Sequence, residues 1–359
     1  MSGFTSDGKP FPLPENKTIN RKAFPLYPVY KPIDDVKTQT DKSQSKASIK
    51  YFADTTQHLA NEMMLGLYEN QEEDENLLFS PVSLQMVLAS LYEAAEDGSK
   101  TQEELQDALI EMTKTINVDR LRSYSRALLD HVETQDGINL ENLVFLSSKA
   151  NQDYAMNAYH NYSTDMIYFN RDNPESLAEI NRIISQNTGG HISSGVKNIR
   201  DTDMFIINTI FLEGLWMVPF TRTKSELTFK NGKQSYKVAS MKCETSNIKI
   251  SLLESEHVGL EQLRVITIPM MNSKNGTSDL EMKIFQPIFS SSQENSLKIM
   301  MNHIFATERQ TNIFSLKEEK EDHKEISLTL PIFKLRSSFD VTDFLKSNGI
   351  NSIFTGNKI

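Results

Sequence analysis

Apolar positions along the chain fall into two repeats, one helical and one extended. Over residues 51–69, Phe52, Leu59, Met63 and Leu67 recur at helical spacing, with Ala60 and Met64 beside them. A second helix follows "NLLFSP", where Ser80 is a good N-cap and Pro81 fits the first helical position. Its body, "VSLQMVLASLY", is apolar on nearly every face and predicts a buried helix. A third opens at Thr101 with Glu104 three residues on, a capping box, and runs Leu105, Ala108, Leu109 and Met112 down one side. A fourth starts at Asn173–Pro174, carries Leu177, Ile180 and Ile184 on one face, and stops at Gly189–Gly190. A last one, "DVTDFLKSNGI", brings Val341, Phe344 and Leu345 inward and ends at Asn348–Gly349.

The extended signals lie between and after these helices. Residues 138–147, 204–215, 264–270, 280–287 and 326–335 are apolar, β-branched or alternating and predict strands. Helices first and long strands later, without strict βαβ alternation, predict an α+β fold with large mixed or antiparallel sheets. No internal repeat is present. Within "IINTIFLEGLWMVPF" (206–220), Asn208 places an amide in an otherwise apolar run, and Trp216 is the only tryptophan of the protein. Residues 1–50 are polar and interrupted by six prolines from Pro10 to Pro32, so they predict a disordered extension ahead of one globular domain over 51–359.

Composition narrows the function classes. The 359 residues carry a formal charge of −10, which gives no general support for binding nucleic acid or an anionic membrane. The runs "QEEDEN" (71–76) and "KEEKED" (317–322) are expected in solvated turns. The single cysteine, Cys243, excludes an intramolecular disulfide; without an adjacent histidine or basic cluster it is expected to be a small half-buried hydrophobe. No window is apolar enough to span a membrane, and "MSGFTSDGKPFPLPENK" contains no signal-peptide core. Either the protein is not exported by that route, or a leader has been removed. The spacings of catalytic elbows, zinc helices and phosphate loops are missing, and the seven histidines never fall at metal-ligand spacing. No cofactor is expected. His131 and His160 are expected to be solvated surface imidazoles.

Taken in order, the segments resemble one family. "NLLFSPVSLQMVLASLYEAAEDGSKTQEELQDAL" (76–109) is similar to the second and third helices of serpins, and "INRIISQNTGGHI" (180–192) to the end of the helix that crosses their main sheet. "IINTIFLEGLWMVPF" resembles the following central strand, "FKNGKQSYKVASM" (229–241) the next strand pair, and "LTLPIFKLRSSFDVTDFLKSNGI" (328–350) the late strand and helix before the reactive loop. The resemblance covers about 52 to 359. It implies that Asn208, with Ser80 and Ser83, forms a polar network under the centre of a sheet that opens to admit the reactive loop. It also implies that Trp216 sits at the top of that sheet; taken without the resemblance, Trp216 would be a core aromatic and Ser80 a plain helix cap.

By the same resemblance the protein is a suicide-type inhibitor of a serine protease and not an enzyme; the alternatives are a non-inhibitory carrier or binding relative and an inactive truncated form. Four departures bear on that choice: Ile332 where a lysine is common, Glu213 for a frequent lysine, His191 for the lysine of a glycine–lysine–isoleucine turn, and a turn at 94–101 one residue longer than usual. The sequence ends at "SIFTGNKI", ahead of the serpin segment that carries the reactive loop. The resemblance therefore implies that the bait bond lies outside these residues, and that the C-terminal serpin segment, supplied separately, would be a partner. Sequons at Asn16, Asn161 and Asn275 favour a secreted glycoprotein, with the cytoplasm as the alternative.

Overall fold

A computed structural model describes residues 42–69, 76–115, 117–133, 137–148, 152–212, 214–231, 234–254, 260–271, 280–289, 325–335, 337 and 340–355. The chain divides into two compact units. One comprises Thr5–Leu67, Phe79–Leu212 and Ser338–Ile359; the other Met1–Phe4, Tyr68–Leu78 and Glu213–Ser337.

The first unit carries nearly all the described helices. Helix α1 (Lys42–Glu69) opens ahead of Tyr51, inside the polar stretch, and buries Phe52, Leu59, Met63 and Leu67. Helix α2 (Pro81–Ala94) begins where Ser80 is extended and its Oγ accepts from the Ser83 N–H at 3.2 Å. It buries Leu84, Met86, Leu88 and Ala89, as its all-round apolar surface predicts. Helix α3 (Lys100–Thr113) starts differently from the sequence expectation. Ser99, not Thr101, is the cap, accepting from the Gln102 N–H at 3.2 Å, while Gln102 Oε1 accepts from the Gly98 N–H at 2.8 Å. Gly98, at φ 71, makes the turn that brings Ser99 to the cap position and leaves Thr101 buried inside the helix.

Glu104 is thereby released from capping α3. Its Oε2 accepts from the N–H groups of Asn351 and Ser352 at 2.9 and 2.7 Å, at the head of a short 3-10 turn (Ser352–Phe354). Burial alone would raise the pKa of this carboxyl, but the Ser352 and Asn351 N–H groups outweigh it and hold the group below its ordinary value. A depressed carboxylate stabilises the fold above its unfolded pKa of about 4.3 and loses that contribution as pH falls through the folded value. Glu104→Ala is expected to cost about 1–2 kcal/mol at neutral pH, read by urea denaturation, with the difference from wild type vanishing in acid. A constant difference down to about pH 3 would show that the carboxylate charge is not the cause.

Helices α4 (Val118–Glu133) and α5 (Gln152–Tyr162) add to those anticipated from sequence. Helix α6 (Pro174–Asn187) is capped by Asn173, whose Oδ1 accepts from the Glu175 N–H at 3.0 Å, and it ends on Gly189 and Gly190 at φ 57 and 81. Helix α7 (Thr342–Ser347) buries Phe344 and Leu345 and ends before Gly349 at φ 89. These helices flank a three-stranded sheet of β1 (Ile138–Leu146), β2 (Thr164–Tyr168) and β3 (Met204–Leu212), in the order β2-β1-β3. β1 is parallel to β2 and antiparallel to β3. Leu143 and Phe145 pack with Ile180, Ile183 and Ile184 of α6, while Val144 and Leu146 pack with Ala155 and Ala158 of α5. Strand β1 is thus covered on both faces.

The second unit is built from strands: β4 (Leu215–Trp216), β5 (Thr221–Arg222), β6 (Leu227–Asn231), β7 (Gln234–Val238), β8 (Ser240–Thr245), β9 (Lys249–Glu254), β10 (Leu260–Met271), β11 (Glu281–Phe289) and β12 (Ile326–Pro331). β10 pairs with β11, β9 and β4; β8 lies between β12 and β5; β6 and β7 form a hairpin. Cys243, Ile248, Ile266 and Ile268 make its core. The strand expected over 326–335 stops at Pro331 because its partner ends: Pro331 lies opposite Ser240, the first residue of β8. Helices and mixed sheets together make the α+β fold that the patterning predicts.

Candidate functional site

Asn208 lies near the middle of β3, directly opposite Asn142 of β1. Asn142 is buried and Asn208 half-buried, so each amide needs a partner inside the fold. They bond to each other: Asn208 Nδ2 donates to Asn142 Oδ1 at 2.6 Å, and Asn142 Nδ2 donates to the Tyr162 carbonyl at 2.7 Å. From the other direction, the Ser83 hydroxyl donates to Asn208 Oδ1, and the Ser83 N–H donates to Ser80 Oγ. A continuous polar chain therefore runs from the head of α2, through both amides, to the end of α5. Across the sheet, Thr164 of β2 lies opposite Asn142 and is buried.

The far end of this chain carries charge. Tyr162 is fully buried, and its hydroxyl donates to Glu93 Oε1 at 3.4 Å. The same oxygen accepts from Arg122 Nε at 2.5 Å, and a second Arg122 nitrogen donates to Asp119 at 3.1 Å. Desolvation, reinforced by the Glu93 carboxylate, pushes the Tyr162 phenol far above its ordinary pKa. It stays a neutral donor.

Of the residues singled out by sequence, Ser80, Ser83 and Asn208 meet in one network, although Ser80 reaches the amide only through Ser83. Trp216 belongs to the other unit. There it pairs with Met270 at the end of β10 and packs edge-on against Phe220, with ring centroids 5.2 Å apart. Asn142 was not singled out, yet it is the buried centre of the network, at 4% exposure. Its signal is weaker than that of Asn208, because it directly follows Glu141 and only Leu143–Leu146 after it are apolar.

His191 is exposed and stacks on Phe211 at 5.7 Å, Ile332 is exposed, and Glu213 lies outside the described residues. Asn161 sits half-buried in the last turn of α5; Asn16 and Asn275 lie outside the described residues. Cys243 is buried, and desolvation raises its thiol pKa, which makes it inert. His160 is exposed and His131 half-buried. Among the described residues no three His, Cys, Asp or Glu side chains gather as a metal set, and no helix is long and apolar enough to cross a membrane. The chemistry available to this network is hydrogen-bond exchange among neutral groups. It contains no nucleophile paired with a base.

Comparison with known proteins gives a consistent result. The model of the family described as "Serpin (serine protease inhibitor)" matches residues 54–359. Serpin B4 of Homo sapiens is 24% identical over 340 residues, covering 88% of this chain and 79% of its own. Corticosteroid-binding globulin of Mus musculus is 23% identical over 292 residues, covering 79% and 67%. Among solved structures, reaction loop cleaved lamprey angiotensinogen superposes with a TM-score of 0.67 at 18% identity, covering 86% of each chain.

Proposed function

The chain belongs to the serpin family, and from that premise we propose that it is a suicide-type inhibitor of a serine protease. Serpins in general inhibit proteases and are not enzymes. The observation that carries the reading is the polar chain Ser83–Asn208–Asn142–Tyr162 under the centre of β1 and β3. An amide pair of this kind stays satisfied while it changes partners, because each side chain both donates and accepts. A sheet that parts to admit a new strand needs such a joint, whereas an apolar sheet does not.

In this mechanism the protease acylates on the reactive loop, the loop inserts into the sheet, and the strain released on cleavage distorts the trapped enzyme. Ser80 and Ser83 anchor the head of α2, Asn208 is the switch, and Trp216 borders the entry point of the loop. The intact natural protein, incubated with a panel of serine proteases, is expected to give a covalent complex with one of them that survives denaturing electrophoresis. Cleavage by every protease without any such complex would overturn the inhibitory reading.

A second reading is a carrier, the role in the printed name of the corticosteroid-binding globulin relative. His191 and Ile332, which replace lysines common in the family, favour it. Such a protein would be cleaved in the loop and would form no complex. We place the protein outside the cell as a glycoprotein. Material from its natural source is expected to lose apparent mass on enzymatic deglycosylation, and an unshifted band would count against export.

A further inference from the structure

Strand β1 keeps one edge open beside a cavity of about 320 Å3 in the helical unit. Two hydrogen bonds fix which of its residues face that edge. The Ser147 N–H, just past β1, donates to the Asp203 carbonyl, which continues the pairing with β3. Antiparallel bonding alternates, so the odd-numbered residues of β1 bond to β3. The Leu146 carbonyl accepts from the Phe169 N–H on the β2 side, so the even-numbered residues aim the other way. β2 meets β1 only from Asn142 onward, because Ser163, at φ 48, turns the chain directly out of α5. Ile138 and Leu140 therefore point their N–H and C=O groups to a side where no described strand lies. They leave two rungs of a ladder to be filled.

Leu129 and Val132 of α4 line the cavity together with Ile138 and Leu140 and give it an apolar wall. An edge beside such a wall suits an extended segment with apolar side chains, added as a strand. The chain holds one in its N-terminal arm, outside the described residues. The longest apolar run before α1 is "AFPLYPVY" (23–30), which includes Pro25 and Pro28. Proline cannot donate, so it fits an edge strand only where its nitrogen faces away from the partner. With Tyr27 and Val29 as the bonding residues, Pro28 faces away. Pro25 then falls opposite Asn142, whose outward groups β2 already occupies, so no donor is left stranded there.

We infer that Tyr27 and Val29 add to this edge as a short antiparallel strand, opposite Leu140 and Ile138 respectively. Opposite residues share a face, so Tyr27 and Val29 lie with Leu140 and Ile138 against Leu129 and Val132. The reach is sufficient. Tyr51 of α1 packs on Tyr124 of α4 with ring centroids 4.7 Å apart. From that contact it is about 14 Å back along α1 to Lys42 and about 12 Å along α4 to Val132. The stretch from Val29 to Lys42 spans up to about 43 Å when extended, more than both distances together. The docking is separate from the polar chain and does not depend on the inhibitory reading.

The test is hydrogen exchange, resolved to single amides, on the whole chain and on its Tyr27→Asp/Val29→Asp double variant. The double variant is expected to speed exchange at Ile138 and Leu140 by roughly tenfold or more. Asn139, whose N–H bonds to β3, is expected to stay unchanged. Phe11→Asp, in the arm's other proline-flanked apolar run, is expected to change none of the three. Equal exchange at Ile138 and Leu140 in the unaltered chain and the double variant would overturn the inference. So would equal acceleration by Phe11→Asp, or a dimer that the double variant dissociates, since the arm would then lie on a second copy. All three substitutions lie ahead of α1, so loss of the fold does not confound the comparison.

Discussion

Arg122→Ala is expected to lower the free energy of unfolding by about 3 kcal/mol at pH 8, among the largest losses available to a single substitution outside the apolar core. The Glu93 side chain is only 4% exposed, and among the described residues Arg122 is the one cation bonded to it. Its other described hydrogen bond, from the Tyr162 hydroxyl, is long at 3.4 Å. Removing the guanidinium leaves a buried carboxylate that must either stay charged without a counterion or take up a proton. The exposure of Arg122, at 32%, lets water supply part of the lost solvation and keeps the expected loss at the lower end of the range for buried pairs. Urea titration at pH 8, with unchanged slope, measures the loss. A second substitution, Glu93→Gln, is expected to recover part of the loss in the Arg122→Ala background. If the double variant is no more stable than Arg122→Ala, desolvation of Glu93 is not the source of the effect.

Asn208→Leu is expected to cost about 1–3 kcal/mol, because it strands two partners at once. The Ser83 hydroxyl loses its acceptor, and Asn142 Oδ1, in a residue 4% exposed, loses its donor. Leucine has the same number and branching of side-chain heavy atoms and leaves no cavity, so the cost comes from unsatisfied polar groups. Asn142→Leu is expected to be comparably costly alone, and the double variant less costly than the sum, since two apolar side chains facing each other leave fewer orphans. On the inhibitory reading, the Asn208 variant also forms oligomers on native gels, as a sheet with a weakened joint admits strands from other chains. Wild-type melting together with a monomeric band would mean that the amide is not part of the joint.

The sequence made some of this architecture legible and hid the rest for identifiable reasons. α2 and α6 were plain because Ser80–Pro81, Asn173–Pro174 and Gly189–Gly190 punctuate them locally. α5 was not, since its buried residues among those described are Ala155, Ala158 and Tyr162, and its sequence has no leucine stripe to set a period. The start of α3 was misplaced by two residues because Thr101 and Glu104 match a capping pattern. Glu104 Oε2 instead accepts from the N–H groups of residues 351 and 352, which local spacing cannot reach. Asn208 stood out as an amide in an apolar run. Asn142, beside Glu141, did not, and its importance depends on the β1–β3 register, which brings the two opposite each other. Pairing partners of this kind are properties of the fold and not of any one segment.

Trp216 has an optical consequence. It is the only tryptophan, and it sits against Phe220 and the Cys243–Ile268 core of the strand-rich unit. Helices α2 to α7 belong to the other unit, as does all but the last two residues of α1. Indole emission therefore watches one half of the molecule, while ellipticity in the helical band watches mainly the other. During denaturation the two signals serve as separate clocks. Coincident curves would show a chain that melts as one body, and displaced curves would show which half lets go first.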